Sequence, residues 1–372
     1  MSSESRIPGT PKQWEARAAE LLVSDVPPSQ LNKLDSASKM TEQQFLCLRK
    51  LNEFPKPSET TKARIDEVMA NFPPFDAYLD HLRTPEKEYF DRKMGVFMLV
   101  MQAQRHVAMD RKTIGLDYDS VAIRRSARVQ NQPGPSSEKA TTPSSASALG
   151  EAQSTSLPRS VISAAAPFDL TDDERLIHEA LLIFLRALIV SLPNMPCKWS
   201  FCYKFIKTPF GDNEMTARIG GCLMGIGIPD MFAIVEVKPR VRNRDERPQL
   251  LWQESAEMVS WIMQDAEKGR RTSVHPRLLI SQNNHEIWLT IADYDEEEYV
   301  RYLRDELSTH TPPAPGSTQS STSQRSLPFM KMQEYGPWSI GNVSHMRDLA
   351  RILLGWAFEA ADEVVKSEAG LR

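Results

Sequence analysis

Between Gly225 and Arg240 the chain reads Gly-Ile-Gly-Ile-Pro-Asp-Met-Phe-Ala-Ile-Val-Glu-Val-Lys-Pro-Arg, and three ionisable side chains interrupt an otherwise apolar run. Asp230 follows Pro229, and Glu236 and Lys238 flank Val237. Ile234, Val235 and Val237 are β-branched, so Ala233 to Lys238 predicts a buried strand. An unpaired charge is costly to bury, so charges at these positions require partners. One partner set is a divalent cation, since carboxylate oxygens are hard ligands suited to Mg²⁺ or Mn²⁺. A lysine two residues beyond a ligand lies on the same side of a strand, where it can stabilise phosphate charge or orient an attacking water. The other is a pair of structural ion pairs at the end of a sheet. Both readings fit the bare spacing.

The elements around this stretch must position it. Asp230 and Glu236 are six residues apart, about 20 Å along a straight strand, so a shared ion requires a tight reversal or sharp bend near Met231 to Ala233. Upstream, Leu176 to Ile189 is apolar on most sides and predicts a core helix, opened by Thr171 with Glu174 as a capping box. Trp199 to Thr208 and Ala217 to Ile228 predict strands, the second with glycines that allow bulging. Downstream, Arg240, Arg242, Arg244 and Arg247 form a basic loop suited either to phosphate contacts or to solvation. Gln249 to Ala266 predicts a helix on which Gln253 and Glu257, spaced i,i+4, share a face, with Glu254 adjacent. Strands are predicted at Arg277–Ser281 and Glu286–Ile291 around an Asn283-Asn284 turn, in which His285 is a turn residue. A further helix follows Asp293, a closing strand falls within Leu327–Trp338, and a last amphipathic helix spans His345 to Val365.

The Pro229-Asp230 and Glu236-Val237-Lys238 elements resemble the PD-(D/E)xK nuclease superfamily. The order helix, strand, strand, Glu-x-Lys strand, helix, strand, strand over Leu170 to Ile291 matches its α/β core. The segments Gln253-Glu254-Ser-Ala-Glu257, Leu279-Ile-Ser-Gln and Met332-Gln-Glu-Tyr-Gly-Pro-Trp338 also look like a group of poorly characterised fungal proteins carrying such a domain. The resemblance implies a restriction-endonuclease-like core, a mixed sheet flanked by helices, and Mg²⁺- or Mn²⁺-dependent hydrolysis of nucleic-acid phosphodiesters, DNA first. It implies metal ligands at Asp230, Glu236, the Val237 carbonyl and Glu179, with Glu174 as the alternative to Glu179. Lys238 assists hydrolysis, Gln253 and Glu257 support the site, and Arg240, Arg242, Arg244 and Arg247 hold the backbone. The alternative from a different class is a catalytically inactive nuclease fold used as a binding or effector module.

At 372 residues with a net charge of −4 the chain is not a polybasic nucleic-acid binder, and any such contact must be a local patch. Its four cysteines fit neither a disulfide framework nor a tetrahedral zinc site, which predicts reduced thiols and an intracellular location, nuclear or cytoplasmic. No apolar run reaches membrane-span length, so no membrane is expected. The resemblance implies nucleic acid, DNA first, as the partner, with a homodimer left open. Residues 1–122 predict a helical N-terminal region with helices near Gln13–Val23, Thr41–Asn52, Glu59–Asn71 and Phe75–Arg83 and a longer one from Pro85 to about Met109. Residues 123–166 are a Ser/Pro/Thr-rich linker that cannot bury a core. The nuclease-like domain spans 167–368, with a low-complexity insertion at 309–326.

Overall fold

The computed structural model describes residues 7–51, 62–84, 92–114, 172–201, 203–242, 248–269, 276–306 and 328–370. The expected linker and insertion, the helix start at Pro85, the Thr171 cap, Cys202, Arg244 and Arg247 lie outside the described residues.

In chain order the helices are α1 (Pro11–Glu20), α2 (Glu42–Cys47), α3 (Lys62–Ala70), α4 (Pro73–Arg83), α5 (Phe97–Ile114), α6 (Asp172–Val190), α7 (Gln249–Glu267), α8 (Glu296–Leu303) and α9 (Val343–Glu368). The strands are β1 (Lys50–Leu51), β2 (Cys197–Ser200), β3 (Lys204–Phe210), β4 (Asn213–Ile219), β5 (Gly221–Gly225), β6 (Met231–Lys238), β7 (Arg277–Asn283), β8 (Glu286–Asp293) and β9 (Met330–Ser339). Seven strands form one sheet in the order β1-β9-β8-β7-β6-β5-β2, and β3 and β4 form a separate hairpin. β1 is parallel to β9 and β6 to β7, while the other pairs are antiparallel. A parallel neighbour requires a crossover, and α7 supplies it between β6 and β7. The protein is therefore mixed α/β, a seven-stranded mixed sheet flanked by helices.

β6 is an interior strand and mostly apolar on both faces, as a strand covered on both sides must be. Ala233, Val235 and Val237 join α4, α5, α6 and α9 in one core, and Met231 and Ile234 join α7 and the β3–β4 hairpin in the other. Local signals place most boundaries. Thr10 caps α1, Thr41 and Gln44 form the expected capping box on α2, and Asp295 caps α8. The β7–β8 turn uses Asn284 with φ 58°.

Four expectations change. The helix expected over Thr41–Asn52 ends at Cys47, and Lys50–Leu51 form β1 beside β9. The run expected as one strand from Trp199 to Thr208 is split between β2 and β3, which lie in different sheets. The run expected from Ala217 to Ile228 is likewise split, at Gly220, between β4 and β5. The long helix near residue 97 begins at Phe97, after a 3₁₀ turn at Arg92–Met94 and Gly95 at φ 53°. Hydrophobic period alone does not locate such interruptions, since the apolar positions continue through them.

The N-terminal residues share both cores with the C-terminal part. β1 extends the sheet beside β9, and α5 packs along α6. Phe45 of α2 stacks on Trp252 of α7 with centroids 5.8 Å apart, and Tyr302 Oη of α8 donates to the Cys47 carbonyl at 2.8 Å. Among the described residues no helix is long and apolar enough to cross a membrane. Because Phe45 is fully buried in the core shared with the sheet, Phe45→Ala is expected to cost about 3–5 kcal/mol. In urea unfolding followed by circular dichroism that loss should shift a single transition. An early separate transition with an unchanged main one would contradict a shared core.

Candidate functional site

Strand alternation sends Glu236 and Lys238 to the face opposite Val235 and Val237, toward α7. Each meets a partner there. Gln253 of α7 donates from Nε2 to Glu236 Oε1 at 2.7 Å and to Glu257 Oε1 at 2.7 Å. The i,i+4 spacing of Gln253 and Glu257 makes this possible, since both leave one helical face. Two carboxylates therefore share the hydrogen-bonding shell of one amide nitrogen, and Lys238 Nζ donates to Glu236. Glu257 is fully buried, and its second oxygen, Oε2, has no hydrogen-bond partner.

The electrostatics follow from burial and excess negative charge. Burial pushes the Glu257 carboxyl well above the usual carboxylate range, and Glu236 raises it further against the pull of Lys238. Burial also raises Glu174, in the first turn of α6, with Glu236 reinforcing the shift and Lys238 and Arg218 opposing it. Lys238 would be lowered by burial, yet Glu236, Glu257 and Glu174 hold it above its ordinary value. Glu174, Glu236, Glu257, Gln253 and Lys238 thus form one interacting group at the end of β6. His178 borders it: burial lowers its pKa, its ring lies 2.6 Å from the Gly220 carbonyl, and it stacks on Tyr203 at 4.8 Å.

The expected ligand set is not assembled. Asp230 is buried at the far end of β6, where its carbonyl accepts from Gly225 N at 3.3 Å. In place of the required reversal near Met231 there is a β-bulge. Leu223 pairs with Ala233 and Met224 with Met231, leaving Phe232 as the extra residue. The strand runs on, and Asp230 and Glu236 stay about 20 Å apart along it. Glu179 is exposed. Five residues of helix rotate it about 140° from Glu174, so the alternative, Glu174, is the acid of α6 that faces the group. The Val237 carbonyl keeps a suitable position. Val235 O accepts from Gly220 N and Lys238 O from Asn284 N on the opposite side, so alternation turns the Val237 carbonyl to the side where β5 has ended. Among the described residues no group of three or more His, Cys, Asp or Glu side chains is arranged to hold a metal ion.

The arginine loop also divides. Arg240 is exposed. Arg242 is buried, donating to Glu254 and Glu334, to Ser281 Oγ at 2.7 Å and to Asn283 Oδ1 at 3.1 Å, with its guanidinium 5.0 Å from the Trp288 ring centre. It is a structural cross-link and has no surface to offer a phosphate backbone. Its burial had no local signal, because Val241, beside it, is exposed. Arg218, Tyr203 and His178 were missed as neighbours of the site, since only the folding of β4 and α6 brings them there. A scan against protein-family models finds no match to the chain, and comparisons with curated proteins and with solved structures find none either.

Two outcomes follow. Arg242→Met leaves Glu254 and Glu334 buried without their cation, so the urea midpoint should fall by an amount equivalent to about 3–5 kcal/mol, whereas a surface arginine would give no measurable change. The raised Glu257 carboxyl favours the folded state when protonated. Its contribution is complete below the ordinary carboxylate range and is lost as pH rises through the folded-state value. Glu257→Gln should therefore melt above wild type at pH 8 in chelator, with the difference closing toward pH 4. A variant that melts below wild type at both pH values would contradict this assignment.

Proposed function

We propose that the group at the end of β6 is the site of a divalent-cation-dependent phosphodiester hydrolase acting on nucleic acid, on a restriction-endonuclease-like core. The carrying observation is the carboxylate pair Glu236–Glu257 on the Gln253 amide, with a buried Glu257 oxygen that lacks a partner. Three acids against Lys238 and Arg218 leave one excess negative charge when all are ionised, which a hard cation would neutralise. The set Asp230, Glu236, Val237 and Glu179 does not fit a cation. The set proposed instead is the pair Glu236 and Glu257, with the Val237 carbonyl on the open side. Two carboxylates suit Mg²⁺ or Mn²⁺, since Mg²⁺ commonly keeps several waters and takes phosphate oxygens from substrate. When bound, the cation would stabilise phosphate charge and acidify a water. The chain's own residues do the rest. Gln253 orients both carboxylates through its two bonds. Lys238, kept protonated by its three acidic neighbours and partly exposed at the mouth, places an ammonium donor where a phosphate oxygen would sit.

The second reading, a nuclease fold serving as a binding or effector module, is favoured by the remoteness of Asp230 and by the Lys238–Glu236 ion pair, which already balances one acid. Calorimetric Mn²⁺ titration of wild type, Asp230→Asn and Glu257→Gln, with plasmid and single-stranded DNA incubated in parallel, separates the two. Wild type and Asp230→Asn should bind Mn²⁺ and cut, and Glu257→Gln should lose both. Glu257 must lose its proton to become a ligand, so Mn²⁺ affinity should fall as pH is lowered. Absence of Mn²⁺ binding by folded wild type would leave the binding-module reading in place. Loss on Asp230→Asn alone would overturn the Glu236–Glu257 pair as the ligand set.

A further inference from the structure

The β3–β4 hairpin carries an exposed face that the core does not use. Ile206, Thr208 and Phe210 point inward, while Phe205 and Lys207 point out, and Phe205 is 61% exposed. Just before the hairpin, Tyr203 is half-buried, and Phe201, just after β2, is exposed. Each ring lies beside an arginine. The Arg186 guanidinium lies 4.6 Å from the Phe201 centroid, and that of Arg218 lies 4.2 Å from Tyr203 and 5.9 Å from Phe205. Arg218 is held there by register, since it pairs across the hairpin with Phe205.

We infer that this stripe of alternating rings and cations is a docking surface for single-stranded nucleic acid that leads into the Glu236–Glu257 group, an inference that rests on the proposed function and names its substrate form. Aromatic rings offer stacking planes to any base, and cations between them suit phosphates. Bases that stack on separate exposed rings must leave the repeat of about 3.4 Å of a duplex strand, so the rings suit a strand whose bases are unstacked. A duplex keeps its base faces covered and gains only the cations. Lys207 is paired with Glu214 at 3.1 Å, but both are exposed and such pairs are weak enough to exchange for a phosphate. The stripe also touches the right place. Its middle ring, Tyr203, is covered by His178 and interacts electrostatically with Glu174 and Glu236, so Phe201 and Phe205 on either side are the faces left for bases.

The test is fluorescence anisotropy of labelled oligothymidylate, oligouridylate and a blunt DNA duplex, read in EDTA so that binding is independent of any cation. Wild type should bind the single strands more tightly than the duplex. Phe205→Ala, a change at an exposed position, should raise Kd about 5- to 150-fold, as expected for losing one stacked base, and Arg218→Gln should weaken binding in the same direction. The preference between the two single strands assigns DNA or RNA to the same surface. Equal affinity for duplex, or no change in either stripe variant, would overturn the inference. Because no cation is present, failure of the hydrolase reading would leave a stripe-dependent loss of binding intact.

Discussion

Helix α7 carries two fully buried glutamates, Glu254 and Glu257, and the end of the sheet is arranged around compensating them. Each is held against the cost of burying a carboxylate, but by different means. Glu254 receives a full cation, Arg242, which also reaches Ser281 and Asn283 on β7 and Glu334 on β9. One guanidinium thus fixes the crossover helix to two strands. Glu257 receives only a share of Gln253 and the field of Lys238. Each keeps one carboxylate oxygen without a hydrogen-bond partner, but only Glu254 is bonded to a cation. Glu257 has none bonded to it, and it is the one that sits beside Glu236.

That asymmetry separates scaffold from chemistry within three residues of one helix. Arg242 has no proton to give up under ordinary conditions, so the Glu254 cluster is inert. Burial favours the neutral form of the Glu257 carboxyl, and the proposed site would ionise it against an external cation. A buried acid that changes partners in this way is expected at sites of function more than in cores.

Much of this was legible in the chain. β6 and α7 follow from β-branched residues and helical period, and the i,i+4 pairing of Gln253 with Glu257 is a property of any helix. Where reading failed, the deciding information was three-dimensional. Asp230 looked like half of an acid pair because it is close to Glu236 in sequence, but a bulge at Phe232 bends the strand without reversing it. Glu179 and Glu174 are equivalent in composition and differ only in rotation about α6. Arg242 looked like its neighbours in a basic loop, and only the convergence of α7, β7 and β9 buries it. The N-terminal helices carried no sign that Phe45 and β1 would complete the same core and sheet.

The placement of the acid pair has a steric cause. Gly221 pairs with Val235, so Gly220 is the residue of the neighbouring chain that comes alongside Glu236, and a second carboxylate from that side would have to replace it. A Cβ there would lie 3.1 Å from the Val235 carbonyl and 3.2 Å from the His178 ring, with that ring already within hydrogen-bond distance of the Gly220 carbonyl. The position has no room for a side chain unless His178 moves, and its stacking on Tyr203 opposes such a shift. The partner acid must then come from the helix crossing above the strand. Glu257, aligned by Gln253, is the α7 acid joined to Glu236 through a single side chain. The same histidine that closes the strand side ties the site to Tyr203, so the packing that moves the acid pair onto α7 also sets the aromatic stripe beside it.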